Sequence, residues 1–446
     1  MKNKFKTFLF LINIFFLNTY ILNAIEQFNF DVTEIEIIED GNKFIGKKRG
    51  LITTEDDIKI KADEFEYNKL TNILELKGNV IIDDKNKNLK IFSEKIIYYK
   101  NKELFISEQD SKFINEEMII ESDILKYDKN LNLINANGNA EINDKEKKYT
   151  IYANDISYLR NLEKVVTKGK TEGVLNLKYN FVSYNVELLR KENILSSQNK
   201  STIVDKNFKL YELDVFKFFI TDEILKAKNL VITSDSSTPL GQSDIVKLDN
   251  GFLNLKENSY VASKTEVNLR KDTFDDIEND PRLKGASSNS KNQITTVNNA
   301  VFTSCKKRDG KCPPWSIQAK KITHDRNKKQ LIYDHAILKI YDKPVMYFPK
   351  FFHPDPSVKR QSGFLKPQLN NSDILGTSIY LPYFHVISEN QDFTFKPTWF
   401  DNDITMLQSE YRIDNENSSF IADFSLTKGY QSSLSNNRNS ISHIFS

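Results

Sequence analysis

Cysteine is nearly absent from this chain of 446 residues, since only Cys305 and Cys312 occur, separated by KKRDGK. In an oxidising compartment, two thiols this close can form a small disulfide loop around the turn-type dipeptide Asp309-Gly310, and we predict that bond. A zinc site is the alternative, but it needs two more thiol or imidazole ligands, and the five histidines are scattered along the sequence. We therefore expect neither a metal nor a cofactor.

An excess of one charge is also missing, because 63 Lys and Arg residues stand against 61 Asp and Glu residues, a formal net charge of +2. Charge alone therefore cannot hold nucleic acid or an anionic membrane surface, and we expect no nucleic-acid partner. Glycine (14) and proline (11) are scarce, whereas aromatic residues make up 12% of the chain. This balance favours β-strands over disordered or collagen-like chain. The length suggests two or three folding units.

A long apolar run occurs only near the N-terminus. Three lysines precede an apolar stretch from Phe8 to Leu22, and the small residue Ala24 follows. This layout predicts a secretion signal over residues 1–24. An uncleaved membrane anchor is the alternative, but the stretch of about 15 residues is short of the ~20 that cross a bilayer. Later segments are not apolar enough for a membrane helix, so further membrane contact requires a barrel or a partner.

A short pattern recurs with a period of about 30 residues, which is typical of stacked repeat units. Each copy has an apolar residue, a small or polar residue two positions later, a second apolar set and then a polar turn. A second strand follows each turn, and Gly78, Gly138 and Gly169 in these strands predict bends or bulges. The copies are IKADEFEYNK from Ile60, IFSEKIIYYKNK from Ile91, IESDILKYDKN from Ile120, IYANDISYLRN from Ile151 and a weaker one, IQAKKITHDRN, from Ile317.

Two strands per unit, with side chains alternating between faces, predict a folded sheet with an apolar inner face and a charged outer face. Ile60, Ile91, Ile120 and Ile151 are then interior residues. If the sheet edges join, the interior is a filled core. If the edges splay, the interior is a trough that can carry an acyl chain, because such a chain requires apolar walls and little else. The repeat is clearest over residues 57–178.

Alternation with a period of two returns after Gly363, in segments of about ten residues like those of membrane-barrel strands. In DFTFKPTW, from Asp392 to Trp399, the apolar residues lie on one face and the polar residues on the other. FIADFSLT, from Phe420 to Thr427, alternates in the same way. A soluble antiparallel sandwich would also alternate, so periodicity alone does not decide between the two architectures.

Several polar residues have no clear chemical role. His353 lies in a proline-rich segment, HPDP, where a single histidine is more often structural than catalytic or metal-binding. Lys359 and Arg360 either contact lipid phosphates or lie in a solvated turn. The sequence contains no P-loop, HExxH, GxSxG or paired-carboxylate motif in a suitable context. We do not expect an enzyme.

Two sets of residues carry a resemblance to a known family. The repeated IxA/S pattern, with its tyrosine and lysine-containing turn, resembles the OstA-like periplasmic jellyroll of lipopolysaccharide transport proteins. The stretch from CPPWSIQAKKITHDRN at Cys312 to FTFKPTW at Trp399 resembles the junction between jellyroll and barrel in the LptD family of lipopolysaccharide-assembly proteins. The resemblance implies an all-β protein, with a periplasmic β-jellyroll of stacked repeats followed by the first strands of an outer-membrane β-barrel. The implied limits are a jellyroll over 25–340, a connector over 341–362 and the N-terminal part of the barrel over 363–446.

The resemblance also implies a function. A protein of this family carries lipopolysaccharide into the outer leaflet of the outer membrane as a non-enzymatic conduit, with its N-terminal domain in the periplasm. The implied partners are lipopolysaccharide, a periplasmic jellyroll bridge protein and a plug lipoprotein inside the barrel. The alternative is a periplasmic lipopolysaccharide-binding bridge protein that acts through the jellyroll only.

Pro367 in GFLKP and Pro382 in YLPYF are the gate residues that the resemblance implies. Proline has no backbone N–H, so each removes one ladder hydrogen bond from its strand. In the family, two prolines at matching positions weaken the seam of the barrel and allow lipid to leave sideways. The alternative is that both residues mark strand starts or edges and have no gating role.

The sequence departs from the family in two respects. A complete barrel has many more strands than the five or six that fit between Gly363 and Ser446, so we expect the barrel here to be incomplete. Some members of the family link jellyroll and barrel by long-range disulfides, whereas Cys305 and Cys312 lie within one short loop.

Overall fold

The computed structural model describes residues 28–445, apart from residues 147, 359, 374 and 402 and the segments 239–242, 272–277, 308–312, 355–357 and 430–438. For residues 439–445 it describes the backbone only. The predicted secretion signal, residues 1–24, lies outside the described residues. Two compact units divide the chain, Met1–Ala227 and Lys228–Ser446. Apart from two 3₁₀ turns, Lys100–Lys102 and Arg160–Leu162, the described elements are strands, which confirms the all-β prediction.

The first unit is built from antiparallel hairpins of the repeat. The last of its strands, β18, spans the division between the two units. The strands are β1 (Phe28–Ile38), β2 (Lys43–Thr54), β3 (Lys59–Ala62), β4 (Glu64–Asn68), β5 (Ile73–Asp84), β6 (Leu89–Tyr99), β7 (Leu104–Ile114), β8 (Met118–Asp128), β9 (Leu133–Asp144), β10 (Tyr149–Leu159), β11 (Lys164–Leu175), β12 (Tyr179–Tyr184), β13 (Glu187–Leu189), β14 (Ile194–Ser197), β15 (Ser201–Asp205), β16 (Leu210–Leu213), β17 (Val215–Phe219) and β18 (Ile224–Thr233).

Bulges interrupt the long strands of the first unit near their middle. Between β5 and β6, for example, the register shifts between Lys77 and Val80. Gly78, Gly138 and Gly169 lie at such interruptions with φ of 73°, 79° and 80°, a backbone region that favours glycine. The predicted bends at these three glycines are confirmed. Because a bulge bends its strand, each hairpin folds back near its middle.

The second unit contains strands of two sheets. The strands of the first are β19 (Ile245–Asn254), β20 (Ser259–Asn268), β21 (Arg282–Lys291), β22 (Ile294–Thr303), β23 (Trp315–Asp325), β24 (Gln330–Ile340) and β25 (Lys343–Pro354). Those of the second are β26 (Gly363–Phe364), β27 (Gln368–Ser372), β28 (Gly376–Tyr380), β29 (Tyr383–Ser388), β30 (Gln391–Phe400), β31 (Thr405–Asn415), β32 (Ser418–Lys428) and β33 (Asn439–Phe445).

In the first of these sheets, β19 to β25 follow one another as an antiparallel meander. Buried residues on β22, β23 and β24, including Ala300, Ile322 and Tyr333, form its core. Strand β25 pairs with β24, although the sequence assigned residues 341–362 to a connector. Proline is tolerated on edge strands, and Phe348 and Phe351 pack against the core.

The second sheet begins with a hairpin whose strands are both interrupted. Segments β26 and β27 form one strand with a break, and β28 and β29 form the next, so the eight segments amount to about six strand lengths. In the described part of the chain, no helix has the length and apolar character needed to cross a bilayer.

Candidate functional site

The four isoleucines predicted to face the interior of the first unit are buried, with at most 1% of their surface exposed. Each is paired in register with an apolar residue on a neighbouring strand. The resulting line of side chains, the isoleucine row, forms one continuous apolar wall across seven strands. Its members are Ile60, Ile82, Ile91, Phe113, Ile120, Ile142 and Ile151.

A second buried line lies beyond the bulges, near the other ends of the same strands. This tyrosine row consists of Tyr67, Leu74, Tyr98, Phe105, Tyr127, Ile134, Tyr158 and Val165. The two rows meet, since the ring centroids of Phe113 and Tyr158 are 6.4 Å apart. The interior is therefore filled by its own side chains, as in the filled-core alternative. The assignment of the isoleucines as lipid-facing stays a prediction.

Ion pairs connect the turns at the ends of the two rows. Lys129, in a turn beyond the tyrosine row, donates to the carboxylate of Asp56, in a turn beyond the isoleucine row, at 2.7 Å. Arg190 and Glu117 connect an equivalent pair of turns at 2.5 Å. We call this side of the folded sheet the mouth. In both pairs the cation is nearly buried and the carboxylate is exposed, so the contacts close the mouth over the apolar interior.

Glu103 organises the mouth beside Lys129. Its carboxylate accepts hydrogen bonds from Tyr98 at 2.8 Å and Lys100 at 2.7 Å, and also from Lys129. Burial raises the pKa of the Glu103 carboxyl, but these three donors outweigh burial, and the net pKa is lowered. Burial lowers the pKa of the Lys129 ammonium, but the hydrogen bonds and charges of Asp56 and Glu103 outweigh burial, and the net pKa is raised. Lys129 therefore stays charged.

The same arrangement recurs every 60 residues, which is two repeat periods. In each case a glutamate with positive φ accepts hydrogen bonds from a buried tyrosine and a cation. The further examples are Glu163 with Tyr158 and Arg190, and Glu223 with Tyr179 and Lys178. Sequence analysis missed these glutamates, although their regular spacing was a signal that could have found them.

Pro367 and Pro382 lie at the two breaks in the first hairpin of the second sheet. Pro367 precedes β27, and Pro382 precedes β29. The N–H of Leu365 donates to the carbonyl of Pro382 at 2.8 Å, so the two breaks lie opposite each other. The structure thus brings the two predicted gate residues together. Their gating role stays a prediction.

Strand β30 of the second sheet sorts its side chains in the opposite way to the first unit. On β30, Asp392, Thr394 and Thr398 are buried, whereas Phe395 and Trp399 are 39% and 47% exposed. The alternation predicted for this segment is confirmed. A polar inner face with an apolar outer face is typical of membrane barrels and unusual for a sheet surrounded by water.

An apolar depression of about 550 Å³ lies on the exposed face of this sheet. It adjoins the break before β29, since Leu381 contributes to its wall. Its lining residues are Phe364, Leu381, Tyr383, His385, Phe393, Phe395, Pro397 and Trp399.

Asp392 anchors the segment before the second sheet to its buried face. Arg360 donates to the Asp392 carboxylate and to the carbonyl of Glu389, and Arg412 donates to Asp392 at 2.8 Å. Of the two alternatives for Lys359 and Arg360, the structure gives Arg360 a protein carboxylate as partner. Lys359 lies outside the described residues.

The remaining candidates do not form a chemical site. Cys305 is half-buried, with Sγ 3.8 Å from the carbonyl oxygen of Trp315. Cys312 lies outside the described residues, so the disulfide stays a prediction. His353 bonds through Nε2 to the Tyr333 hydroxyl at 3.0 Å. Within the described ranges, no group of three His, Cys, Asp or Glu side chains could hold a metal ion.

Comparison with known proteins gives partial matches, and no family model matches. The chain is 36% identical over 114 residues to the LPS-assembly protein LptD of Pseudoalteromonas translucida, covering 26% of this chain and 15% of that protein. It is 29% identical over 176 residues to LptD of Polaromonas sp., covering 36% and 21%. It is 25% identical over 210 residues to LptD of Idiomarina loihiensis, covering 44% and 27%.

Among solved structures, the periplasmic lipopolysaccharide transport component LptH of Pseudomonas aeruginosa matches at 14% identity, over 25% of this chain and 82% of LptH. The TM-score of 0.23 is too low to carry an argument about the fold. The chain covers 15% to 27% of the length of the three LptD proteins. Over part of its length it is therefore similar to proteins named LPS-assembly protein LptD, which supports the resemblance to that family.

Proposed function

We propose that the protein receives lipopolysaccharide in the periplasm and inserts it into the outer leaflet of the outer membrane, without making or breaking covalent bonds. One observation carries this proposal: apolar side chains are buried in the first unit but exposed on one face of the second sheet. The first unit has a continuous apolar interior, and the second sheet has an exposed apolar face. The similarity to proteins named LPS-assembly protein LptD supports the same function.

In this proposal the first unit lies in the periplasm and holds the acyl chains against the isoleucine row. Acyl chains bind apolar walls through the hydrophobic effect. Because the interior is filled by side chains, the lipid has to separate the two rows, and the ion pairs at the mouth are the contacts that it breaks. A bridge protein of the same fold delivers the lipid by adding a strand to a sheet edge.

The second sheet lies in the outer membrane in this proposal. Its exposed aromatic face contacts lipid, and its buried polar face lines the inside, where a plug lipoprotein binds. The breaks at Pro367 and Pro382 form the lateral exit, because each proline removes a donor that would stabilise strand pairing.

Photo-crosslinking in cells tests the lipid path. A crosslinking amino acid replaces Ile91 or Ile120 in the full chain, with Lys90 and Ile124, exposed positions on the same strands, as matched controls. We expect lipopolysaccharide adducts from the two interior positions only. Absence of adducts at both interior positions, or equal adducts at all four, would contradict the proposal.

The lateral exit is tested separately with Pro367→Ala, Pro382→Ala and the double variant. Each alanine restores a backbone N–H, so we expect stronger pairing of the first hairpin and less lipopolysaccharide at the cell surface. Lipopolysaccharide adducts from a crosslinking amino acid at Ile91 should persist in all three variants. Unchanged surface lipopolysaccharide in the double variant would overturn the gating role and favour a bridge protein that acts through the first unit.

A further inference from the structure

Two cations at the mouth of the first unit are held by neutral groups. Arg160 donates from Nη2 to the backbone carbonyl of Lys87 and from Nη1 to the side-chain oxygen of Asn132 at 2.9 Å. Lys87 donates from Nζ to the carbonyl of Lys129 at 2.8 Å. These bonds connect three turns that come from both rows.

Neither cation is neutralised by an ion pair with a carboxylate in the described part of the chain, in contrast to Lys129. The carboxylate of Asp84 is close, but it accepts the backbone N–H of Lys87 at 3.0 Å and so stabilises its own turn. Burial lowers the pKa of the Lys87 ammonium, the charge of Asp84 raises it, and the charges of Lys129 and Arg160 lower it further. The cations therefore repel one another, and an anion bound between them would offset that repulsion.

Two buried polar atoms beside these cations have no hydrogen-bond partner among the residues that the structure describes, although the Arg160 side chain is near enough to the Tyr127 hydroxyl to oppose the rise of its pKa. They are the hydroxyl oxygen of Tyr127, whose residue is fully buried, and Nε of Arg160. Lys87 Nζ lies 5.8 Å from the ring centroid of Tyr127. Buried donors without acceptors are unfavourable and rare, so an acceptor brought by a ligand would bind here with a gain in free energy.

This polar cluster adjoins the apolar interior. The guanidinium carbon of Arg160 lies 5.9 Å from the ring centroid of Phe113, which belongs to the isoleucine row. In register, Phe113 pairs with Ile91 and Ile120. A ligand with an anionic head and an apolar tail could therefore contact both parts at once.

We infer that Lys87, Arg160 and Tyr127 form a binding site for a phosphate monoester carried by an amphiphile whose acyl chains lie against the isoleucine row. Guanidinium and ammonium groups form strong charge-assisted hydrogen bonds to phosphate oxygens. The Tyr127 hydroxyl adds a neutral donor. This inference rests on the proposed function, because it names the head group that the lipid path recognises.

The test uses the full chain in detergent with a photo-crosslinking amino acid at Ile91. The probes are a disaccharide lipid with two phosphates, the same lipid without phosphates, and inorganic phosphate. The variant is Lys87→Gln with Arg160→Gln. Lys126→Gln is the matched control, since Lys126 is exposed on the outer face of the strand that carries Tyr127.

We expect the double variant to bind the phosphorylated lipid at least about tenfold more weakly, as loss of charge-assisted bonds predicts. Binding of the dephosphorylated lipid should not change, and Lys126→Gln should behave as the parent. If inorganic phosphate binds as tightly as the lipid, and crosslinking is insensitive to the double variant, the site serves free phosphate and the amphiphile assignment is wrong.

The variant Tyr127→Phe distinguishes a role of the hydroxyl in ligand binding from a role in protein stability. Because its hydroxyl has no hydrogen-bond partner within the described ranges, we expect Tm to stay equal or rise, while affinity for the phosphorylated lipid falls several-fold. A lower Tm with unchanged affinity would make the hydroxyl structural and overturn its role.

The outcomes also separate this inference from the proposed function. Equal crosslinking of both lipids, unaffected by the double variant, would reject the phosphate site and leave the lipid path intact. Failure of both lipids to crosslink from Ile91 would reject both.

Discussion

In strand β8 of the first unit, Ile120 and Tyr127 are buried and Lys126 is exposed, whereas in β30 of the second sheet Thr394 is buried and Trp399 is 47% exposed. Both strands alternate with a period of two. What differs is which kind of side chain is turned outward. Water outside favours the first arrangement, and lipid outside favours the second. Burial thus shows which face of each strand is turned outward, which the period alone does not.

The two regions also bend their strands by different means. In the first unit, bulges at positions such as Gly78 and Gly138 bend the strands while pairing continues on both sides. In the second sheet, Pro367 and Pro382 accompany breaks in both strands of one hairpin. A bulge keeps the strands paired on both sides of the bend, whereas a proline removes a ladder donor at the break.

The largest expected effect comes from removing apolar volume in the first unit. Ile120→Ala should lower the free energy of unfolding by about 3 kcal/mol, because Ile120 is fully buried. Ile124→Ala, on the same strand but 39% exposed, should cost less than about 1 kcal/mol. Denaturant unfolding measures both. Equal losses would contradict an apolar interior confined to one face.

The second sheet should respond to the loss of a buried charge. Asp392→Ala leaves Arg360 and Arg412 without their shared carboxylate, and we expect a loss of about 2 kcal/mol, less than for a fully buried pair because both arginines are partly exposed. The exposed Asp423 provides the control variant, Asp423→Ala. Thermal unfolding in detergent that shows no difference between the variants would argue against a polar inner face.

The bends of the first unit can be tested with a matched pair of glycines. Gly138 and Gly169 have nearly the same φ, but a Cβ at Gly138 would lie 2.5 Å from Asp123 Oδ2, whereas one at Gly169 would meet nothing within 4 Å. Gly169→Ala should therefore cost about 1 kcal/mol from backbone strain alone, and Gly138→Ala somewhat more. Equal Tm values for both variants and the parent would contradict the bend.

The smallest effect is the pH dependence of the mouth. The pKa of Glu103 is lower in the folded protein than its ordinary value of 4.5, so its contribution to stability is present above about pH 4.5 and is lost as the pH falls through the folded pKa. Tm should decline in acid, and Glu103→Gln should reduce that decline relative to Glu108→Gln, a control glutamate in an exposed pair. An identical pH profile in both variants would exclude a role for Glu103.

Sequence analysis predicted the local features of the fold. Regular spacing located the four isoleucines, the three glycine bends and the alternating face of β30, because each depends on neighbours along the chain. It did not predict the mouth, where Lys129 and Asp56, or Arg190 and Glu117, are 73 residues apart. Such contacts depend on how one strand end meets another across the folded sheet, and periodicity carries no information about that.

Strand β25 shows a different limit. The resemblance implied a connector over residues 341–362, but Lys343–Pro354 forms a strand, because an edge strand tolerates proline where no ladder donor is needed. Whether a strand is at an edge is decided by its neighbours in space. Similarly, Arg360 was predicted to meet lipid phosphate or solvent, and its actual partner, Asp392, lies 32 residues further along the chain.

Spin labels placed one at a time at residues 392–399 of the full chain, reconstituted in a bilayer, test the central contrast most directly. We expect oxygen dissolved in the lipid to collide most with labels at Phe393, Phe395 and Trp399 and least with labels at Asp392, Thr394 and Thr398. A constant collision rate along the strand, or the opposite phase, would contradict a sheet whose apolar face is turned toward lipid.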